Sequence, residues 1–129
     1  MIATMTIAAL VALAMLAILW VFQLALALGA PLGAAAWGGQ NPGVLPSRLR
    51  LASALVCVFV YPLIAAVILA AARLIADWLP LDHSVPMWIL VAFFALSTVM
   101  NAISRSAPER IWAPVAAILA VCCAVIALG

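Results

Sequence analysis

Four long apolar runs, with nearly all of the charges gathered between them, leave this chain only one solvent in which it can fold. The runs cover residues 5–28, 51–72, 87–100 (extending to about 103) and 111–128. Each approaches the ~20 residues that a helix needs to cross a ~30 Å hydrocarbon layer. At that depth no water satisfies the backbone amides, so each run must be helical. Charged residues make up 6% of the sequence and hydrophobic ones 72%, against about 25% charged in an average soluble domain. The expected fold is an all-α integral membrane protein, a four-transmembrane-helix bundle. Residues 1–129 form a single transmembrane domain, with helices over 3–28, 48–78, 85–104 and 107–128.

The connections between such helices are too short for a separate catalytic or nucleic-acid-binding domain. Five arginines, no lysines and three acids give a net charge of +2. That is no polybasic surface for a phosphate backbone, and no nucleic-acid partner is expected. The first run is read as a retained helix rather than a signal peptide. No Lys or Arg precedes it and it exceeds a signal core, although Leu24-Ala25-Leu26-Ala27 offers a cleavage-like pattern.

Orientation is read from the arginines. Arg48 and Arg50 belong to the first connection and the start of the second helix, and Arg105 and Arg110 to the third connection. Short arginine-bearing loops stay cytoplasmic. The expected localisation is therefore the cell membrane, multi-pass, with both termini and the second connection outside. Trp37 and Trp112 on the inner side and Trp78 and Trp88 on the outer side are read as interfacial belts. Trp20 lies too deep for that role.

The helix ends carry signals of their own. Ser106-Ala107-Pro108-Glu109 reads as a capping box, with Ser47 and Ser84 as caps of the second and third helices. Pro62 should bend the second helix by removing the bond to Val58, and Pro114 should act likewise near the start of the fourth. Arg73 and Asp77, one turn apart, are expected to pair. His83 reads as a solvated loop residue, and Cys57, Cys122 and Cys123 as buried thiols behaving as small hydrophobes.

Two regions could carry function. The first connection, 29–46, is too apolar for an ordinary loop and too rich in Gly and Pro for a helix. It fits a re-entrant or interface-lying segment, the alternative being an ordered surface loop held by Trp37. The strongly polar intramembrane residues, Gln23, Ser53, Ser97, Thr98 and Asn101, all fall toward the same side. Ser97 and Asn101 share a helix face. A ligand site is expected there, with Gln23, Asn101 and Arg105 at its core. Arg48 and Arg50 stand at the rim, and Trp37, Gln40, Asn41 and Ser104 complete it. Arginines beside neutral amides suit an anion or a lipid headgroup. The competing reading of each amide is interhelical hydrogen bonding.

No metal-ligand spacing, nucleophile elbow or pair of carboxylates on one face is present, so neither a cofactor nor catalysis is expected. In size and layout the chain resembles the small four-helix bacterial membrane proteins, a class that includes drug exporters and ion channels. It lacks the intramembrane acid that the exporters carry in their first helix. The expected function is an oligomeric channel, transporter or membrane ligand-binding module. The alternative is an accessory subunit of a larger membrane complex. Expected partners are membrane lipids and either further copies of the chain or a membrane-complex partner.

Overall fold

The computed structural model describes residues 2–129, and its regular structure among them is all helical, with four helices long and apolar enough to cross a membrane. They are α1 (Ile2–Ala27), α2 (Ser47–Ala71), α3 (Ser84–Ala102) and α4 (Ala107–Leu128). Each runs antiparallel to the next. The start of α1 meets the end of α4, where Met5 lies against Gly129. Both termini and the 72–83 connection therefore share one end of the bundle, and the connections 28–46 and 103–106 the other.

The helices are arranged around the bundle as α2–α1–α4–α3. Contact is extensive between α3 and α4, α1 and α4, and α1 and α2, but α2 and α3 barely touch. Small residues explain the close pairs: Ala9 and Ala12 of α1 are fully buried in one cluster with Leu119 and Cys123 of α4. Without a hydrophobic drive between helices in lipid, such close backbone approach is what holds a bundle together. Ile64 and Ile68 of α2 and Met87 and Phe94 of α3 complete this core. It fills the half of the bundle nearer the termini. Cys57, Cys122 and Cys123 are buried free thiols.

The break expected at Pro62 takes the form of a π-turn over Val56–Val60. There the Tyr61 amide reaches back to the Val56 carbonyl. With this longer spacing the Cys57 carbonyl would next be served by Pro62, which has no N–H. The indole N–H of Trp20 serves it instead, at 3.1 Å. This explains why a tryptophan sits so deep in the first run: a buried indole finds an acceptor, and here the acceptor is one that a proline has orphaned. Pro114 produces no comparable bend, because α4 opens as a 3₁₀ turn over Ala107–Ile111 and Pro114 falls in the first α turn that follows.

Several expected helix ends are corrected. The second helix stops at Ala71 rather than 78, because Arg73 adopts a left-handed backbone (φ 62°). Around it the Leu74 amide bonds the Leu69 carbonyl and the Arg73 amide that of Ala70. The same six-to-one closure ends α1, where Ala30 bonds Ala25 around Gly29 (φ 97°). Glycine is the usual residue at this position, whereas Arg73 gives no such signal in the sequence. Neither Ser47 nor Ser84 caps its helix; each is the first helical residue. The Asp82 carboxylate accepts the Ser84 amide at 2.8 Å. Arg73 does not pair with Asp77, whose carboxylate bonds His83 at 2.8 Å instead, so His83 is not simply solvated. With the helix broken at Arg73, the two residues no longer lie one turn apart on one face.

Candidate functional site

The first connection is a folded part of the bundle. Around its two short 3₁₀ turns, Gly33–Ala35 and Trp37–Gly39, Ala35 and Ala36 are buried, and Leu45 packs with Ala36 against Leu26 of α1. The turn closes because the Gly33 amide bonds the Gly43 carbonyl at 2.9 Å, and a Cβ at Gly33 would overlap the Asn41 carbonyl oxygen. Trp37 is held at φ 51°, uncommon for a bulky residue. Tertiary bonds keep it there.

Those bonds come from far along the chain. The Glu109 carboxylate accepts the Gly38 amide at 2.8 Å. The Ser106 hydroxyl donates to the Ala34 carbonyl. The Trp112 indole donates to the Ala35 carbonyl at 2.9 Å, and the Trp37 indole to the Ser53 hydroxyl at 3.0 Å. This corrects two sequence readings. Ser106 and Glu109 form no reciprocal capping box, since both side chains are committed to the first connection and no side-chain cap bond forms at Ser106. Trp37 and Trp112 likewise spend their N–H groups inside the protein rather than at headgroups. A local reading assigns each side chain its nearest possible partner, and here the tertiary partner prevails.

Between this connection and the four helices lies a cavity of about 260 Å³. Phe22 and Gln23 of α1, Tyr61 of α2, Phe94, Ser97 and Asn101 of α3, and Glu109 and Trp112 of α4 form its walls, with Trp37 from the connection. Phe22 and Trp112 stack at a tilt, centroids 4.5 Å apart. Two further wall residues, Val60 and Phe93, are 42% and 51% exposed. The cavity therefore opens sideways, through the loose α2–α3 seam. At its far end the apolar core closes it.

Of the residues expected to form a site, the structure brings Gln23, Trp37 and Asn101 together in this cavity. Arg48, Arg105 and Gln40 are exposed and lie outside its walls. Asn41 contributes its backbone to the turn against Gly33. Arg50 bonds the Ala27 carbonyl at 3.2 Å, so its charge sits at the negative end of α1. Ser104 accepts the Ser106 amide with its hydroxyl and the Arg110 side chain with its carbonyl. Asn101 does not bridge helices: it donates to the Ser97 carbonyl within α3 at 2.7 Å, and Ser97 to that of Phe93 at 2.9 Å, whereas the Gln23 carboxamide of α1 lies beside the Tyr61 hydroxyl of α2.

Glu109, which its spacing assigned to a cap, was weighed in the sequence as a pocket-lining group but left out of the expected site. In the structure it is buried, only 9% exposed, and is the one charged group among the described residues of the cavity wall. The signal was available: Glu109 is the only acid at its end of the molecule. Tyr61 and Trp112 were also missed, since aromatic residues in an apolar run carry no positional mark. The Gln23 carboxamide oxygen is buried without a hydrogen-bond partner. Such a group costs roughly 1–3 kcal/mol. Comparison of the chain with protein-family models, curated proteins and solved structures finds no match.

Proposed function

We propose that this is a multi-pass protein of the cell membrane whose cavity is a seat for a small amphipathic molecule entering from the bilayer. The first connection lies on the cytoplasmic side, as the four arginines at that end require, and dips back to wall the seat. The single observation that carries the reading is the sideways opening of a largely apolar cavity whose wall also carries Gln23, Asn101 and Glu109. Val60 and Phe93 at the mouth suit a hydrocarbon or aromatic tail. Gln23, Asn101 and Glu109 further in suit a hydrogen-bonding head. Pockets built largely of apolar walls with a few convergent polar groups are the usual form of small-molecule sites.

Binding is favoured over conduction because Leu16, Ile68, Met87 and Leu119 leave no path to the opposite end of a single bundle. An anion is disfavoured, since no arginine lines the cavity. A second reading, the accessory subunit, draws on α3, which buries only Met87 and Phe94. A partner could cover the rest of that helix.

Photolabelling separates the two. In liposomes containing a phenyl-diazirine alcohol, adducts should concentrate on Val60, Tyr61, Phe93 and Ser97, and Ala116→Leu should remove them. Equal labelling of the lipid-facing Leu51 and Leu96 would mean that no seat exists. Shielding of Phe93 in the native membrane, lost on purification, would favour the accessory subunit.

A further inference from the structure

Glu109 is the least accounted-for group in the molecule. It is buried, yet no Arg or His approaches within ion-pair distance; among the described residues the one such pair is His83–Asp77, at the other end. Its only bonded partner is the Gly38 amide, which occupies one oxygen. Burying a carboxylate without a counter-charge is among the more costly arrangements a fold can contain.

The surrounding donors do not relieve this. Around the cavity the Trp37, Trp112 and Ser97 donors, and one from Asn101, are spent on protein acceptors. The Gln23 carboxamide oxygen, by contrast, is a buried acceptor without a hydrogen-bond partner, although the Tyr61 hydroxyl lies beside the same carboxamide. The wall thus holds a carboxylate without a counter-charge and a carbonyl acceptor without a partner; neutral donors remain on Tyr61 and Gln23, and what the wall does not supply is positive charge. Much of the remaining surface is aromatic: Phe22, Trp37, Tyr61, Phe93, Phe94 and Trp112. Aromatic faces attract ammonium groups through the negative charge of the ring faces, the more so when desolvated. A hydrated metal ion gains little from such walls, and no cluster of three metal-ligating side chains exists among the described residues.

We infer that the cavity takes a hydrophobic organic cation, an amine whose N–H groups meet Glu109 and Gln23 while its apolar body lies among the aromatic rings toward the α2–α3 seam. This rests on the proposed amphiphile seat and specifies the charge of its occupant. Glu109 is the specificity-determining residue, because it separates a cation from a neutral molecule of the same shape.

Three probes of matched shape test it by calorimetric titration into protein in nanodiscs, with empty nanodiscs as the blank: 2-phenylethylamine, 2-phenylethanol and 3-phenylpropionate. The amine should bind at least tenfold more tightly than the alcohol, a difference of about 1.4 kcal/mol, and the carboxylate should not bind. Glu109→Gln keeps an acceptor for the Gly38 amide, and should remove the amine's advantage over the alcohol. Should that variant fail to fold, the three probes on the unaltered protein still decide. Equal affinity for amine and alcohol overturns the cation inference and leaves the seat standing. Binding of none of the three overturns both. A saturable signal from sodium chloride of the same size as the amine's would assign Glu109 to an inorganic ion and overturn the organic cation.

Discussion

The two ends of the bundle are held by different kinds of bond. At the 72–83 end the polar contacts are mostly local: Asp77 bonds His83 and the Leu79 amide, and Asp82 bonds the Ser84 amide. The Trp78 indole reaches only to the Ala66 carbonyl. At the other end Glu109, Ser106 and Trp112 bond residues more than seventy positions earlier. One connection is tied to itself, the other to the far end of the chain. A loop closed by local bonds can only turn the chain. A loop held by the start of another helix becomes part of the wall of the cavity in which the buried Glu109 lies, whereas the cavities at the 72–83 end have no buried acid in their walls. Leu16, Ile68, Met87 and Leu119 fill the bundle's interior on the side of the termini, and the cavity walled by the first connection lies beyond them.

The largest effect expected from breaking this contrast comes at Gly33. A methyl group there overlaps the Asn41 carbonyl and presses on that of Gly43, with backbone on both sides and no side chain to give way. Gly33→Ala should cost about 3 kcal/mol, at the upper part of the range for overpacking. It would appear as a clear drop in the thermal midpoint of the protein in detergent. Gly43→Ala, in open space but at φ 85°, should cost only the ~1–2 kcal/mol of a left-handed residue with a Cβ. Equal costs at the two positions would mean that the turn is not packed as described.

The smallest effect is expected at the opposite end. The Asp77 carboxyl is held below its ordinary range chiefly by the bond to His83 and then by the Leu79 amide, and it is fully exposed. A depressed carboxyl contributes its stability above its unfolded pKa and loses it as the pH falls through the lower, folded value. Asp77→Asn should therefore leave the midpoint near neutral pH almost unchanged. It should also flatten part of the decline seen on acidification below about pH 4. A loss at neutral pH comparable to that of Gly33→Ala would contradict the division between the two ends.

The four helices were legible in the sequence because the bilayer's demand for uninterrupted apolar length leaves few alternatives. The sidedness of Gln23 and Asn101 was legible for a related reason: polar groups at depth are rare enough to stand out. What could not be read locally was decided by partners distant in sequence. Ser106 and Glu109 have capping-box spacing, yet each is drawn away by a backbone group of the first connection. Arg73 ends α2 in a conformation that usually marks a glycine. The π-turn left one trace, a tryptophan at position 20 that was too deep to be a belt residue and whose acceptor lies on another helix. The arginines were grouped with the amides because they share an end of the chain's layout. In the structure Arg50 is used against the end of α1 and Arg105 faces outward.

Amide hydrogen exchange tests most directly whether the first connection is part of the bundle wall. The amides of Gly33, Ala35, Ala36, Gly38 and Gly39 all have acceptors, and three of them depend on a turn that long-range bonds hold in place. Exchange over 33–39 should be slow and should resemble that of the adjoining helices, while 75–82 should exchange rapidly. Equal, rapid exchange in both connections would show that the first is a surface loop, and the cavity it walls would lose its support.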